Sequence, residues 1–417
     1  MHRPGGHERK SIYDPVHGPI SLSPLAVDLI GTPAFQRLWG IRQMGLAHLV
    51  FPGANHTRLE HSLGTFWVAQ RVADRLGITG ERRAVLESAA LLHDLGHTPF
   101  SHTLEPTLRE VEGHGHERRS RAAIEGDGLG GTEIPAILGA HGLAPREVAD
   151  LIDPAPTRRV DPLLRGLLHG AIDADRLDYL QRDAHYTGVA LGAVDVARLW
   201  DTLVAFRGRV AFAAKARTSV EGFLVGRALM YAAVYYHKTV RAAELLAQAV
   251  LERCDGYPER ARAILDGDDA RFLVALADDP APATRRLLDR LRRRRLPKRV
   301  AALPEIPAET EGWARRLLRR PSERREWEDR WADRLGGTAG DVLLDLSGVE
   351  PRDGTDEDGT GIVLVEAGRA TRPFRHSAPW TELARRPPTD VRLAVYASAE
   401  LRERAARTLA RRGIGPD

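Results

Sequence analysis

The sequence predicts a mainly α-helical protein that ends in a small α+β lobe. Three observations predict it. Leu59, Leu63, Phe66, Ala69, Val72, Ala73 and Leu76 recur at the spacing of one helix face. A second apolar helical run leads into Ala89–His102, AALLHDLGHTPFSH, where glycine, threonine and proline break the pattern. Past residue 336 the character changes. DVLLDLSGV, GIVLVEAG and VRLAVYAS read as short strands rich in Val, Ile and Leu. SAELRERAARTLARRG reads as a terminal helix with Ser398 as its N-cap.

The chain therefore divides into three parts. Residues 1–250 form a helical core with short Gly/Pro connections and hold every chemical motif. Residues 251–335 read as an Arg-rich helical extension, interrupted by PAPA (280–283) and LPEIP (303–307). Residues 336–417 form the α+β lobe. Within it DGTDEDGT (353–360) lacks the ligand spacing and terminal glutamate of a calcium loop, and reads as an acidic hairpin loop. There is no internal repeat and no Walker-type phosphate loop.

Composition narrows the classes. A chain of 417 residues can bury a sizeable core. It has no apolar run of membrane-spanning length, and MHRPGGHERK lacks the apolar stretch of a secretory signal. Cys254 is the single cysteine, which excludes an intrachain disulfide and a cysteine-rich zinc site. A cytoplasmic location is the expectation. The net charge is +4, and arginine is concentrated between residues 285 and 320. Two readings cover those runs: amphipathic helices with a solvated arginine face, or an anionic contact with nucleic acid or nucleotide phosphates.

The chemistry starts at His93-Asp94. An adjacent imidazole and carboxylate suit a borderline divalent metal, although a surface hydrogen bond is the better explanation of the pair when it stands alone. The helix breakers behind it predict an exposed turn. Upstream, His61 lies near the start of the first amphipathic helix, with Arg58 one turn before it. Downstream, Asp175, Tyr179 and Asp183 share one helix face at successive i+4 steps. Burying such a face is costly unless it binds something. Two His and two Asp from three helices describe a metal site with positions open for water and substrate. His97 and His102 follow closely enough to enter the same cavity, and imidazole titrates near neutral pH.

The order of these residues resembles the HD-domain phosphohydrolase superfamily. The blocks DPVHGPI (14–20), TPAFQRL (32–38), QMG (43–45), FPGANHTRLEHSLG (51–64), HDLGHTPFSH (93–102), DADRLDY (173–179) and YYHK (235–238) occur in the order of one subgroup. That subgroup contains the mammalian sterile-alpha-motif/HD-domain deoxynucleoside triphosphate triphosphohydrolase and its bacterial relatives. The resemblance implies a helical HD core and a metal held by His61, His93, Asp94 and Asp175. Two imidazole ligands suit Fe, Mn, Zn, Ni or Co, with Mg as an activating or phosphate-bridging ion.

The resemblance also implies roles around the metal. His102 matches the general acid, His97 a phosphate contact and His116 a further active-site histidine, although a solvent-exposed histidine on a Gly-rich loop also fits His116. Arg58, Arg176 and Tyr179 match triphosphate contacts; the family commonly has lysine where Arg176 stands. Gln43 and Asp183 match groups that bind the sugar 3′-hydroxyl. Tyr179 would reject a 2′-hydroxyl, and Tyr235 or Tyr236 would stack near the base. Ordinary core packing explains each aromatic equally well. The role of Asp173 is left open.

Departures bear on regulation. Gly31 and Trp39 stand where the mammalian relative has the Asp and Arg that bind a guanine activator. Lys10 remains of that charged set, the sterile-alpha-motif domain is absent, and Glu105 replaces an Asp. The implied reaction is hydrolysis of deoxynucleoside triphosphates to deoxynucleosides and triphosphate by a homo-oligomer. The alternatives are an HD-domain phosphomonoesterase or phosphodiesterase acting on another nucleotide, and a nucleic-acid-binding protein with this fold.

Overall fold

The computed structural model describes residues 10–153, 160–192, 194–346, 362–370 and 392–415. The protein is mainly helical, as the periodicity predicts. The DGTDEDGT loop lies outside the described residues.

Three helices build the centre: Arg58–Leu76, Gly80–Leu92 and Ala174–Thr187. The first begins in a capping box. Thr57 accepts the backbone N–H of Glu60, and the Glu60 carboxylate accepts the N–H of Thr57. It stops at Gly77, whose φ of 66° is the left-handed conformation glycine adopts without strain. Ala174–Thr187 starts at the N-cap Asp173, which accepts the N–H of Arg176 at 2.8 Å. Arg58–Leu76 packs against both of the others. Gly64 makes one of those contacts possible, because a Cβ there would overlap the Asp178 carboxylate. Helices His116–Glu125, Pro145–Ile152 and Pro162–His169 close one side.

Ahead of these helices runs a hairpin, Ser11–Asp14 paired antiparallel with Gly18–Ser21. Asp14 shapes its turn by accepting the N–H groups of Val16 and His17 at 2.9 and 2.8 Å. A second hairpin pairs Leu203–Phe206 with Arg209–Ala213. The helical reading of residues 1–250 does not contain either hairpin. Each strand is four or five residues long, too short to stand out from helical surroundings by periodicity.

Three further expectations are corrected. Residues 251–335 are not all helical, because Lys298–Leu303 is a strand paired antiparallel with Leu393–Ala397. That partner, supplied from far along the chain, overrides a local sequence with no strong strand signal. Of the three late strands, Val342–Asp345 also joins Leu393–Ala397, but Leu364–Glu366 runs parallel to Arg209–Ala213 in the other sheet. Ile362 and Leu364 accordingly pack into the main core. The terminal helix starts at Arg402 with Leu401 as N-cap, while Ser398 donates its N–H to Asp341.

The lobe shares an apolar cluster with the helices before it, which supply Trp313, Trp327 and Trp331. The arginines of the basic runs are largely engaged: Arg290 with Asp341, Arg315 with Glu311, Arg316 and Arg320 with Glu323. Cys254 is a buried free thiol. No described helix is long and apolar enough to cross a membrane.

Candidate active site and metal centre

His61 sits in the first turn of the Arg58–Leu76 helix, and His93-Asp94 follow the end of Gly80–Leu92. Asp175 lies in the first turn of Ala174–Thr187. The four meet. His61 Nε2 is 3.0 Å from Asp175 Oδ1 and 3.6 Å from Asp94 Oδ2. His93 Nε2 is 3.3 Å from Asp94 Oδ1 and 3.8 Å from Asp175 Oδ1. His61, His93 and Asp94 offer donor atoms within 4.8 Å of one another, close enough to share one ion, and Asp175 faces both imidazoles.

The ring nitrogens point the same way. His93 Nδ1 lies 2.8 Å from the carbonyl of Ala90 and His61 Nδ1 lies 2.7 Å from Asp178 Oδ2, so both Nδ1–H groups are spoken for. Both Nε2 atoms are buried and aligned with no hydrogen-bond partner. Buried ring nitrogens that face carboxylates and make no hydrogen bond are what a cation site requires. The donor set therefore fits a divalent transition metal.

Charge tells the same story. Burial would raise the Asp94 carboxyl, but Arg58, with Nη1 at 2.6 Å, and then His93 and His97 hold it well below the usual range. Burial would lower His61, whereas Asp175, Asp178 and Asp94 raise it to about 10. The centre favours positive charge at that position.

The expected exposed turn at His93-Asp94 is in fact buried, with His93 at 7% and Asp94 at 3% exposure. The turn is covered by the His116–Glu125 helix. Gly96 lies so close that a Cβ would overlap the carbonyl of His116. Ser120 Oγ donates to His93 O at 2.6 Å and accepts the N–H of Gly96 at 2.9 Å. Arg37 clamps the other side through the carbonyls of Leu95 and His97. Phe100 and Ser101, at φ 57° and 58°, hold strained left-handed backbone just before His102.

His97, His102 and His116 form a second group. The His97 and His116 rings stack at 3.9 Å, and His102 stands edge-on to them at 4.7 and 5.2 Å. Glu105 binds His116 rather than His102: its carboxylate takes Nδ1 and the backbone N–H, each at 3.1 Å. Burial would lower His116, but Glu105 raises it to about 9. His102 shifts the other way, lowered by the surrounding protein and then by Arg58 and His116, although its ring is exposed and solvent softens the shift. The protonated imidazole at neutral pH is therefore His116. His116 is largely buried, not a solvent-exposed loop residue.

Most of the remaining sequence-marked residues have their own partners. Arg58 donates to Asp94, Ser101 Oγ and, at 3.4 Å, the carbonyl of Gln43. Gln43 Oε1 is buried without a partner. Asp183 accepts from His56 at 2.8 Å and from the Tyr235 hydroxyl at 2.6 Å. Tyr179 packs edge-on to Tyr235 at 6.3 Å. Arg176 pairs with Asp173 at 2.7 Å, which gives Asp173 two roles, helix cap and counter-ion. Trp39 is 55% exposed.

Sequence reasoning missed three residues. Arg227 lies over the Tyr231 ring at 5.3 Å with a buried, unpartnered Nε. Asp178 and His17 stand inside the blocks DADRLDY and DPVHGPI but received no role. The i, i+4 pairing of Asp178 with Arg182 was readable as a helix ion pair; its contact with His61 was not.

The chain is similar to known proteins along most of its length. A model of the HD domain matches residues 58–183, and a model of the HD associated region matches residues 194–413. An uncharacterized protein of Methanocaldococcus jannaschii is 34% identical over 299 residues, covering 70% of this chain and 59% of that one. The human deoxynucleoside triphosphate triphosphohydrolase is 35% identical over 211 residues, covering 43% of this chain and 34% of that one. The chain spans about half the length of the curated relatives it matches. The crystal structure of a phosphohydrolase from Bacteroides thetaiotaomicron matches with a TM-score of 0.70 at 26% identity, over 94% of this chain and all of that one.

Proposed function

Because the chain belongs to the HD-domain family, we propose that it is a metal-dependent phosphohydrolase that converts deoxynucleoside triphosphates to deoxynucleosides and inorganic triphosphate. The observation that carries the reading is the meeting of two unpartnered imidazole nitrogens, His61 Nε2 and His93 Nε2, with the carboxylates of Asp94 and Asp175. A divalent ion held there would polarise a phosphoryl oxygen and acidify water. The likeness to the human triphosphohydrolase supports the choice of substrate.

The chain's own residues supply the rest. Arg58 keeps Asp94 ionised and retains N–H groups on its terminal nitrogens for a phosphate oxygen. Arg176, Arg227 and Tyr179 neighbour one another and would add further donors for the phosphate chain. Gln43 and Asp183 offer acceptors to a sugar hydroxyl, with Asp183 fixed by His56 and Tyr235. Proton delivery to the departing 5′-oxygen falls to the His102–His116 pair. His116 carries the proton, held there by Glu105, and His102 presents the exposed ring.

The test is product analysis with a panel of dNTPs, NTPs and nucleoside monophosphates in Mn or Mg. Triphosphate release from dNTPs, lost in His102→Ala and His116→Ala, is the expected result. Pyrophosphate plus monophosphate would place the attack at another phosphorus. Turnover of monophosphates alone would make the protein a phosphomonoesterase.

A further inference from the structure

A buried network that no step above uses runs from the N-terminal hairpin to the back of the metal centre. Asp178 is at its middle, wholly buried. Its Oδ2 accepts from His61 Nδ1 at 2.7 Å and from Arg182 Nε at 2.9 Å. Its Oδ1 accepts from His17 Nε2 at 2.6 Å and from Arg182 Nη2 at 2.9 Å. Four donors around one carboxylate leave it a single orientation. Arg182 is itself wholly buried and reaches on to Asp14 Oδ2 at 2.7 Å. Asp14 closes the loop by accepting the N–H of His17. The His17 ring is clamped flat on Trp67, with centroids 4.3 Å apart and planes 17° apart.

The network has a direction. Asp14 and Asp178 carry two negative charges against the one positive charge of Arg182. Arg182 makes two bonds to Asp178 and one to Asp14, so the network as a whole keeps one negative charge behind His61. A carboxylate accepting from Nδ1 fixes the imidazole tautomer, turns the Nε2 lone pair outward and makes it a better donor. The face it turns outward is the one aimed at Asp94 and Asp175.

We infer that Asp178 and His17 are positioning residues that hold the His61 ring ready for the ion, so that the Ser11–Ser21 hairpin sets how tightly the centre retains its metal. The inference rests on the reading of His61 as a ligand. It assigns to the hairpin a task that the helical core, which supplies all four proposed ligands, cannot perform without it. His17 is 161 residues from Asp178 in sequence, so the contact is made only when the hairpin has docked.

The experiment compares wild type, His17→Ala, His17→Gln and Asp94→Ala as full chains. Affinity for Mn(II) is measured by competition with a chromophoric chelator, and apo-protein thermal unfolding is read separately. His17→Ala is expected to weaken Mn(II) binding about tenfold or more. His17→Gln, whose amide can still donate to Asp178, is expected to recover most of the loss. Unchanged affinity in folded His17→Ala overturns the inference and leaves the metal centre standing. Wild type that binds no better than Asp94→Ala overturns the metal centre itself.

A second measurement needs no variant. In wild type loaded with diamagnetic Zn(II), nitrogen-15 histidine NMR is expected to find the His61 proton on Nδ1, hydrogen-bonded, with the metal on Nε2. The reverse arrangement overturns the inference even if every His17 variant fails to fold.

Discussion

Glu105 grips His116 at two points, taking its Nδ1 and its backbone N–H at 3.1 Å each. One contact fixes the ring and the other fixes the start of the His116–Glu125 helix. An imidazolium is thereby held against the His97 and His102 rings.

The pH dependence follows from that pair. His116 is raised from 6.5 to about 9, so its stabilisation is complete below 6.5 and is lost as pH rises through about 9. Glu105 is depressed from 4.5, so its contribution is present above 4.5 and is lost as acid protonates it. Plots of kcat/KM against pH should fall on the alkaline side with a midpoint near 9. In Glu105→Gln that midpoint should move toward 6.5 by a unit or more. An alkaline limb that stays in place would remove His116 as the proton carrier.

Asp94→Ala should strip the centre of metal. Elemental analysis of protein purified without added metal should give the native ion in wild type and less than about a tenth of it in the variant. Arg58 would also lose its buried partner, so the melting temperature should fall. Full metal content in the variant would show that Asp94 is not a ligand.

Arg227→Ala should raise KM more than it lowers kcat. A charge-assisted hydrogen bond contributes about 1.5–3 kcal/mol, equivalent to roughly tenfold to a hundredfold in affinity. Steady-state kinetics with the best substrate of the panel decides it; an unchanged KM would confine Arg227 to packing on Tyr231.

Arg324→Ala should destabilise the fold by about 3 kcal/mol, because the buried Glu252 carboxylate loses its nearest cation and is left with Arg325 at 4.0 Å. Arg324 Nη2 contacts both oxygens of Glu252 at 2.6 Å, and Nη1 reaches Glu328 at 3.3 Å. Glu328 in turn accepts the N–H of Leu344 at 2.9 Å. The network ties helices Lys238–Glu252 and Pro321–Arg334 to the strand Val342–Asp345. Urea unfolding monitored by tryptophan fluorescence measures the loss; a change under about 0.5 kcal/mol would mean the pair is neutral.

The long helices and the meeting of His61, His93, Asp94 and Asp175 were legible because helical spacing and residue chemistry are local. The burial of His93-Asp94 was not. Gly96, Thr98 and Pro99 read as a surface turn, and it is tertiary contact, with Gly96 fitted under His116 and Arg37 on the other side, that buries it. The strand Lys298–Leu303 was hidden for a similar reason, since its hydrogen bonds depend on residues 393–397. Asp178 was visible as a helix ion pair, yet its contact with His61 requires two helices to approach at Gly64. Glu105 was noticed as a substitution, while its choice of His116 over His102 is set by the turn between the two helices.

The strand Leu364–Glu366 returns from the far end of the chain to lie beside Arg209–Ala213. This bears on how the protein is made. As the chain leaves the ribosome, the Leu203–Ala213 hairpin folds early and keeps one edge bare until residue 364 has been synthesised. Pairings between such distant segments form slowly, and a bare strand edge is open to neighbouring chains in the meantime. Nascent chains halted between residues 213 and 364 should therefore be the most prone to aggregate, and completion of the C-terminus should end that exposure.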